Sequence, residues 1–411
     1  MKKFICASVL AASIAGIAYA DVSSNPLLAG YIDNSATGSL SKVNIKTVAE
    51  DGYNTVIFSF IKIDGTSVSF ADGTQDSMTK MSREAKDNNI KTLVSVGGQN
   101  NTFNPGDHLS EEELNQLATN IVNFIKNNGF DGIDLDIEVQ TSPVLIKSLV
   151  SEIKNIDKDI IVTAAPQVVS IGDKLVPVTT GTNQDYSEAI KSGLFDYLFL
   201  QEYNSTGEND PNFIINAFDD ISKLIPEGAS TKIVTGQPTA AQAAGQTTLY
   251  YPEGSANPLK TEDVARLMLP KLKQISNDNK YGGVMGWSIN VDYAPDAYPV
   301  PFGEAAPHNP GDFAYFLNQC VLNGSCDKIP DPKPYDKSYN LQITDTSTNT
   351  GITVTVGDTY FGYIANNAFD SFDGSTNPST TSITNKTGLQ VKWVTYDGGP
   401  SGTCSDQFNF K

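Results

Sequence analysis

The chain has 411 residues, enough for one large domain with a small companion or for two to three domains of average size. Asp and Glu number 47 against 28 Lys and Arg, a formal net charge of −19 that makes nucleic acid a poor partner. Such a balance promotes solubility and suits an uncharged substrate, while selecting no particular reaction.

Residues 1–20, MKKFICASVLAASIAGIAYA, place Lys2 and Lys3 before an apolar stretch from Phe4 to Ile17 and a small-residue site at Ala18-Tyr19-Ala20. This is the pattern of a secretory signal peptide, so cleavage after Ala20 and export are expected, outside the cell or into the periplasm. Cleavage would remove two lysines and no acids, making the balance more acidic still. No other apolar run approaches the roughly 18 residues needed to span a bilayer, so no membrane partner is expected.

Short apolar, β-branched runs then recur at 27–32, 55–61, 91–96, 132–138, 160–166, 197–203, 232–236 and 283–289. Helical patterns lie between them. Ser110 with Glu113 forms a capping box, followed at helical spacing by Leu114, Leu117, Ile121 and Phe124. Ser142 before Pro143 marks a second helix start. Eight strands alternating with helices imply parallel pairing and match an α/β fold of the closed (β/α)8 TIM-barrel type better than an open doubly wound sheet. No G-x-G-x-x-G follows the first strand, which weakens a nucleotide-binding reading.

The composition shifts at IPDPKPYD, and the prolines make residues 329–335 a stiff, extended linker. Residues 21–328 are thus expected to form the barrel domain. Residues 336–411, rich in Thr, Ser, Asn and Gly with alternating stretches such as GITVTV and LQVKWVTY, are expected to form a small β-sandwich module. In an oxidising compartment Cys320 and Cys326 can close a short disulfide loop, leaving Cys404 over, although spacing does not fix connectivity. With only His108 and His308 present, a Ser-His-Asp triad or a His-rich zinc site has little material, and His108 in NPGDHLSEEE reads as a solvated loop residue. No cofactor or metal is implied.

The fourth run, DGIDLDIE, is the most informative stretch. Side chains alternate across a strand, so Asp134, Asp136 and Glu138 share one face while Ile133, Leu135 and Ile137 share the other. In a barrel the acids would line the interior and the aliphatics would meet the helices. Acids so close together cannot all stay ionised cheaply in a dry site, which predicts a proton shared within the group. Glu138 falls at the C-terminal rim, where barrel active sites lie, and that position suits a general acid. The competing readings are a structural hydrogen-bond network or a divalent-metal site. The aliphatic residues between the acids do not suit an EF-hand-like loop.

DGIDLDIE resembles the D-x-x-D-x-D-x-E signature of glycoside hydrolase family 18, the chitinases and their relatives. SVGG at 95–98, QEYN at 201–204 and GVMGWSINVD at 283–292 are similar to further motifs of that family in the same order; GYI at 30–32, FSF at 58–60 and AAPQ at 164–167 also fit. The resemblance covers residues 27–300 and leaves the C-terminal module unexplained. It implies hydrolysis of chitin or N-acetylglucosamine oligosaccharides, with no cofactor, by a substrate-assisted route that is an exception to ordinary two-carboxylate catalysis. By the same resemblance Glu138 is the acid and base, Asp136 orients the substrate's acetamido group, Asp134 shares a proton or hydrogen bond with Asp136, and Tyr203 donates to the acetamido carbonyl. Trp287 forms the floor beneath the sugar, Gln201 and Asn204 hold its polar edge, and Tyr31 and Phe60 wall the subsite.

Asp131 and Ser95 read as structural, fixing a strand entrance and a tight turn, and Gly97 and Gly98 let the chain turn closely at a strand end. Trp393, Tyr360, Phe361, Tyr363 and Tyr396 are candidates for sugar contact in the C-terminal module, although Trp393 shares a face with Leu389 and Val391. Residues 239–281 have little room for the extra subdomain that some family relatives carry, which predicts a shallow groove and endo-type cleavage; a monomer is also expected. The alternatives are an endo-β-N-acetylglucosaminidase on N-linked glycans and a catalytically dead sugar-binding barrel, the latter disfavoured by an intact Glu138.

Overall fold

The computed structural model describes residues 26–331 except 107, 253, 254, 256, 299–305 and 307, together with the backbone of seven strands beyond residue 340. The expected leader and most of the expected linker lie outside the described residues. Eight strands form the barrel: β1 (Leu27–Asp33), β2 (Thr55–Asp64), β3 (Lys91–Gly97), β4 (Gly132–Asp136), β5 (Ile161–Ala164), β6 (Tyr197–Gln201), β7 (Lys232–Pro238) and β8 (Tyr281–Trp287). Each pairs in parallel with the next, and β8 returns to pair with β1, so the sheet closes. Closure leaves no unpaired edge along the barrel, and the fold is the (β/α)8 barrel.

One helix from each connection contributes to the outer layer: α1 (Ile45–Glu50), α2 (Gln75–Asp87), α3 (Glu111–Asn128), α4 (Pro143–Ile156), α5 (Ser187–Ile190), α6 (Asn212–Ser222), α7 (Thr261–Ile275) and α8 (Asp312–Asn323). The Ser110 capping box opens α3, with both reciprocal bonds formed. The buried stripe of α3 is Leu117, Ala118, Ile121, Val122 and Ile125, while Leu114 and Phe124 lie at its half-buried margins. Its centre is therefore turned slightly from the expected line, because the helix must cover a curved sheet. Pro143 opens α4 as expected, although Ser142 makes no side-chain cap bond.

Two apolar layers follow from strand alternation. Outward residues such as Val94, Ile133, Leu135, Val162 and Leu198 pack with the helices. Inward residues, including Leu27, Ala29, Ile57, Leu93, Ile161, Tyr197, Phe199, Val234 and Met285, fill the lumen as a separate cluster. Strand ends differ from expectation chiefly at the C-terminal rim. β4 stops at Asp136 and not at Glu138, β5 at Ala164, and β6 at Gln201, because the ladder bonds end there and the chain departs into loops.

The two ends of the barrel are tied by a buried polar seam. Tyr53 donates to Asp292 Oδ2 at 2.9 Å, Tyr293 donates to Asp51 Oδ2 at 2.7 Å, and His308 bridges Thr261 Oγ1 (2.6 Å) and Asp292 Oδ1 (3.1 Å). His108 is exposed. Cys320 and Cys326 are disulfide-bonded at the end of α8.

Beyond residue 340 the described strands form two antiparallel sheets. One holds Leu341–Thr344, Ser382–Asn385 and Gln407–Asn409; the other holds Ile352–Val356, Thr359–Ile364, Val391–Thr395 and Ser401–Cys404. The side chains of Trp393, Tyr360, Phe361 and Tyr363, and Tyr396 altogether, lie outside the described residues.

Candidate active site

The register of β3, β4 and β5 sets Ser95 beside Asp134, Asp134 beside Thr163, and Gly97 beside Asp136. All of these positions face the lumen. Asp134 is fully buried and accepts three hydroxyl hydrogens: from Tyr31 at 2.8 Å, Ser95 at 2.7 Å and Thr163 at 2.7 Å. Burial raises its pKa, and those three bonds oppose the rise. Asp131 lies outside the lumen and accepts from Thr92 N–H at 2.8 Å, fixing the entrance of β4.

Asp136, 3% exposed, stands one lumen position nearer the rim. Burial pushes its carboxyl well above the usual range, and the charges of Glu138 and then Asp134 add to that, while the Gln201 amide, 2.7 Å from Oδ1, opposes it. Charge on either neighbour therefore disfavours ionisation of Asp136. Gln201 also donates to the Ala165 carbonyl at 2.9 Å. Its amide hydrogens are thus committed to holding Asp136 and the end of β5, and no longer point to the sugar edge expected from the sequence.

Glu138 is half-buried, two residues past the end of β4. Burial raises its pKa, and the nearby Gln201 side-chain amide works against the rise. Tyr203, also past its strand, is buried beside the same group. Its hydroxyl is pushed well above the usual phenol value by burial first and then by Asp136 and Glu138.

Tyr31 is 1% exposed, with its hydroxyl on Asp134 and its ring 5.6 Å from Trp287 and 6.2 Å from Phe199. It is an interior strut more than a wall. Trp287 is only partly buried at the end of β8 and shares the lumen with the acids through Tyr31. The Phe60 ring lies over Gly98, where a Cβ would strike it, and a Cβ on Gly97 would overlap the Asp136 carbonyl. Both glycines have positive φ, so the close turn requires them. Asn204 is exposed with φ 68°, and its amide oxygen accepts from Gly245 N–H at 2.7 Å. That bond joins the loops after β6 and β7.

Sequence reasoning missed four participants. Thr163 was visible in principle, as a polar residue in lumen register between Ile161 and Ala165. Tyr186, whose hydroxyl touches the backbone on both sides of Asp136, gave no local signal. Glu202 and Glu208 form a second buried acidic pair beside Tyr203, and burial lifts Glu208 to about 9. Among the described residues no group of three or more His, Cys, Asp and Glu is arranged to hold a metal ion.

The site is thus a closed parallel barrel with a half-exposed carboxyl at its C-terminal rim and two buried acids beneath it, and the family match that follows makes the protein a glycoside hydrolase. The profile described as Glycosyl hydrolases family 18 matches residues 27–292, and the chain is a member of that family. A basic endochitinase of Nicotiana tabacum is 29% identical over 229 residues, 52% of this chain and 67% of its own length. An acidic endochitinase of Cucumis sativus is 30% identical over 224 residues, 50% of this chain and 64% of its own length. The chain therefore spans about two thirds of these relatives. The crystal structure of a fungal endo-β-N-acetylglucosaminidase from glycosyl hydrolase family 18 superposes with a TM-score of 0.51 at 18% identity, over 73% of this chain and 99% of that one, which is a likeness of fold.

Proposed function

We propose that this chain is an exported, endo-acting chitinase that cleaves β-1,4 bonds between N-acetylglucosamine units with retention. The observation that carries the reading is the alignment of Asp134, Asp136 and Glu138 along one lumen wall, with Glu138 alone reaching the half-exposed rim. In this mechanism Glu138 protonates the leaving glycosidic oxygen while the substrate's acetamido oxygen attacks the anomeric carbon, forming an oxazolinium ion. Water then adds at the same carbon and returns its proton to Glu138. Asp136 orients the acetamido N–H and takes the developing charge, with Asp134 and Gln201 holding it in place. Tyr203 donates to the acetamido oxygen, and Trp287 supports the ring.

Chitin is favoured over protein-linked glycans because the Nicotiana tabacum and Cucumis sativus relatives near 30% identity are described as endochitinases, whereas the likeness to the endo-β-N-acetylglucosaminidase is one of fold. An open groove is supported by the segment between β7 and β8. Its described residues form a 3₁₀ turn at Ala241–Ala243 and α7, and they contain no strand. Export rests on the leader pattern of residues 1–20.

The test is mass spectrometry of products from N-acetylglucosamine oligomers, polymeric chitin and a high-mannose glycoprotein. Mixed oligomers from chitin early in digestion are expected. Release of glycan from the glycoprotein with chitin untouched would replace the substrate assignment. Disaccharide as almost the sole early product would overturn endo cleavage.

A further inference from the structure

In a parallel ladder the Ile137 N–H would next bond to the Ala165 carbonyl, continuing the rung in which Ala165 N–H donates to the Leu135 carbonyl at 3.1 Å. It does not. The Ala165 carbonyl is occupied by the Gln201 amide, and the Ile137 N–H donates to the hydroxyl oxygen of Tyr186 at 2.7 Å. The same hydroxyl donates to the Leu135 carbonyl at 2.5 Å. One phenol thus replaces a rung of the sheet at the point where β4 ends.

We propose that Tyr186 is a positioning residue for Glu138 and Asp136: its hydroxyl ends the β4–β5 ladder and sets the direction in which the backbone carries Glu138 to the rim. Ile137 lies between the two acids, so any rotation of its peptide swings both carboxyls. Tyr186 is 0% exposed, fixed at the N-terminal edge of α5, and the charges of Asp136, Asp134 and Glu138 all act on its hydroxyl. It does not touch the reacting atoms. A fully buried hydroxyl with donor and acceptor both used by one strand has little freedom, which is what orientation of a rim carboxyl demands.

The proposal rests on Glu138 as the acid of the proposed reaction, and its test has two arms. Tyr186→Phe keeps the ring and removes the bridge. With N-acetylglucosamine oligomers, kcat should fall at least about tenfold while KM stays within about twofold, as expected when alignment and not binding is lost. Freed toward water, Glu138 should lose the burial that raises its pKa, so the basic limb of the pH–rate profile should move to lower pH.

The second arm does not depend on activity. The Glu138 carboxyl is titrated by infrared difference between the protein and its Glu138→Gln variant, with and without Tyr186→Phe. A downward shift in the Tyr186→Phe background is expected. If the unsubstituted protein cleaves neither chitin nor glycoprotein, the reaction assignment fails while the infrared arm still decides the role of Tyr186. If Tyr186→Phe does not fold, Tyr186→Gln, which keeps a donor and an acceptor at shorter reach, carries the same titration. An unmoved Glu138 titration and pH profile, with only the thermal midpoint lowered, would make Tyr186 a purely structural brace and overturn the proposal.

Discussion

Tyr31 on β1 and Asp134 on β4, 103 residues apart in sequence, meet inside the lumen with hydroxyl and carboxylate 2.8 Å apart. The contact joins two walls of the barrel through its acidic core, and it also sets the Tyr31 ring against Trp287. A residue expected to line the substrate pocket thus has its hydroxyl turned inward, onto the acid that lies one lumen position below Asp136.

Tyr31→Phe should leave Asp134 with two hydroxyl donors in place of three. The carboxylate loses a charge-assisted bond, so stability should drop by about 1.5 kcal/mol in denaturant unfolding. Turnover should fall about tenfold if the lost bond is felt fully in the transition state. Unchanged unfolding would mean the bond contributes nothing.

Glu138→Gln should lower turnover by at least about 10²-fold, the scale of a lost general acid, with oligosaccharide binding retained in calorimetry. A thiazoline analogue of the intermediate should compete with substrate in the unsubstituted enzyme, since it mimics the cyclised acetamido group. Comparable turnover in the variant would remove Glu138 from the reaction.

Glu208 makes a pH-dependent prediction for stability. Burial raises its folded pKa to about 9 against the bond from Ser205 N–H, and the charge of Glu202 adds to the rise. A carboxyl raised on folding is neutral in both states at low pH and is penalised as pH climbs from its unfolded value toward the folded one. Glu208→Gln should therefore match the unsubstituted protein near about pH 4 and be more stable by at least about 1 kcal/mol at about pH 8. Equal thermal midpoints across that window would contradict the burial argument.

The His308 contact works in the opposite sense. Burial lowers its pKa, but the hydrogen bond and charge of Asp292, with Asp312 behind, raise it above the usual value overall. The facing groups are Asp292, Asp312 and the Thr261 hydroxyl. Stability from a raised histidine is full below its unfolded value of about 6.5 and is lost as pH rises through the folded value. The deficit of His308→Gln in thermal midpoint should thus be largest at acidic pH and shrink toward about pH 9. A deficit independent of pH would assign the contact to packing alone.

Much of the barrel was legible because burial writes itself into sequence as periodicity. Eight β-branched runs, the Ser110 capping box and the alternation of DGIDLDIE each follow from local geometry. The end of β4 was not legible, because Ile137 and Glu138 continue the alternation after the hydrogen-bond ladder has stopped. What stops it is Tyr186, 49 residues from Ile137, and its tyrosine looks like any core aromatic in isolation. The same limit explains Gln201 and Tyr31. Their residue types suit a polar edge and a sugar wall, but their roles are decided by Ala165 and Asp134, which only the closed barrel brings near.

The inward cluster of Leu27, Leu93, Ile161, Tyr197 and Val234 has a consequence for traffic. These residues lie toward the strand N-termini, below Asp134, and stopper that end of the barrel with hydrocarbon. The acids therefore meet water at the opposite, C-terminal mouth, where Glu138 is half-exposed and Asp136 lies just beneath it.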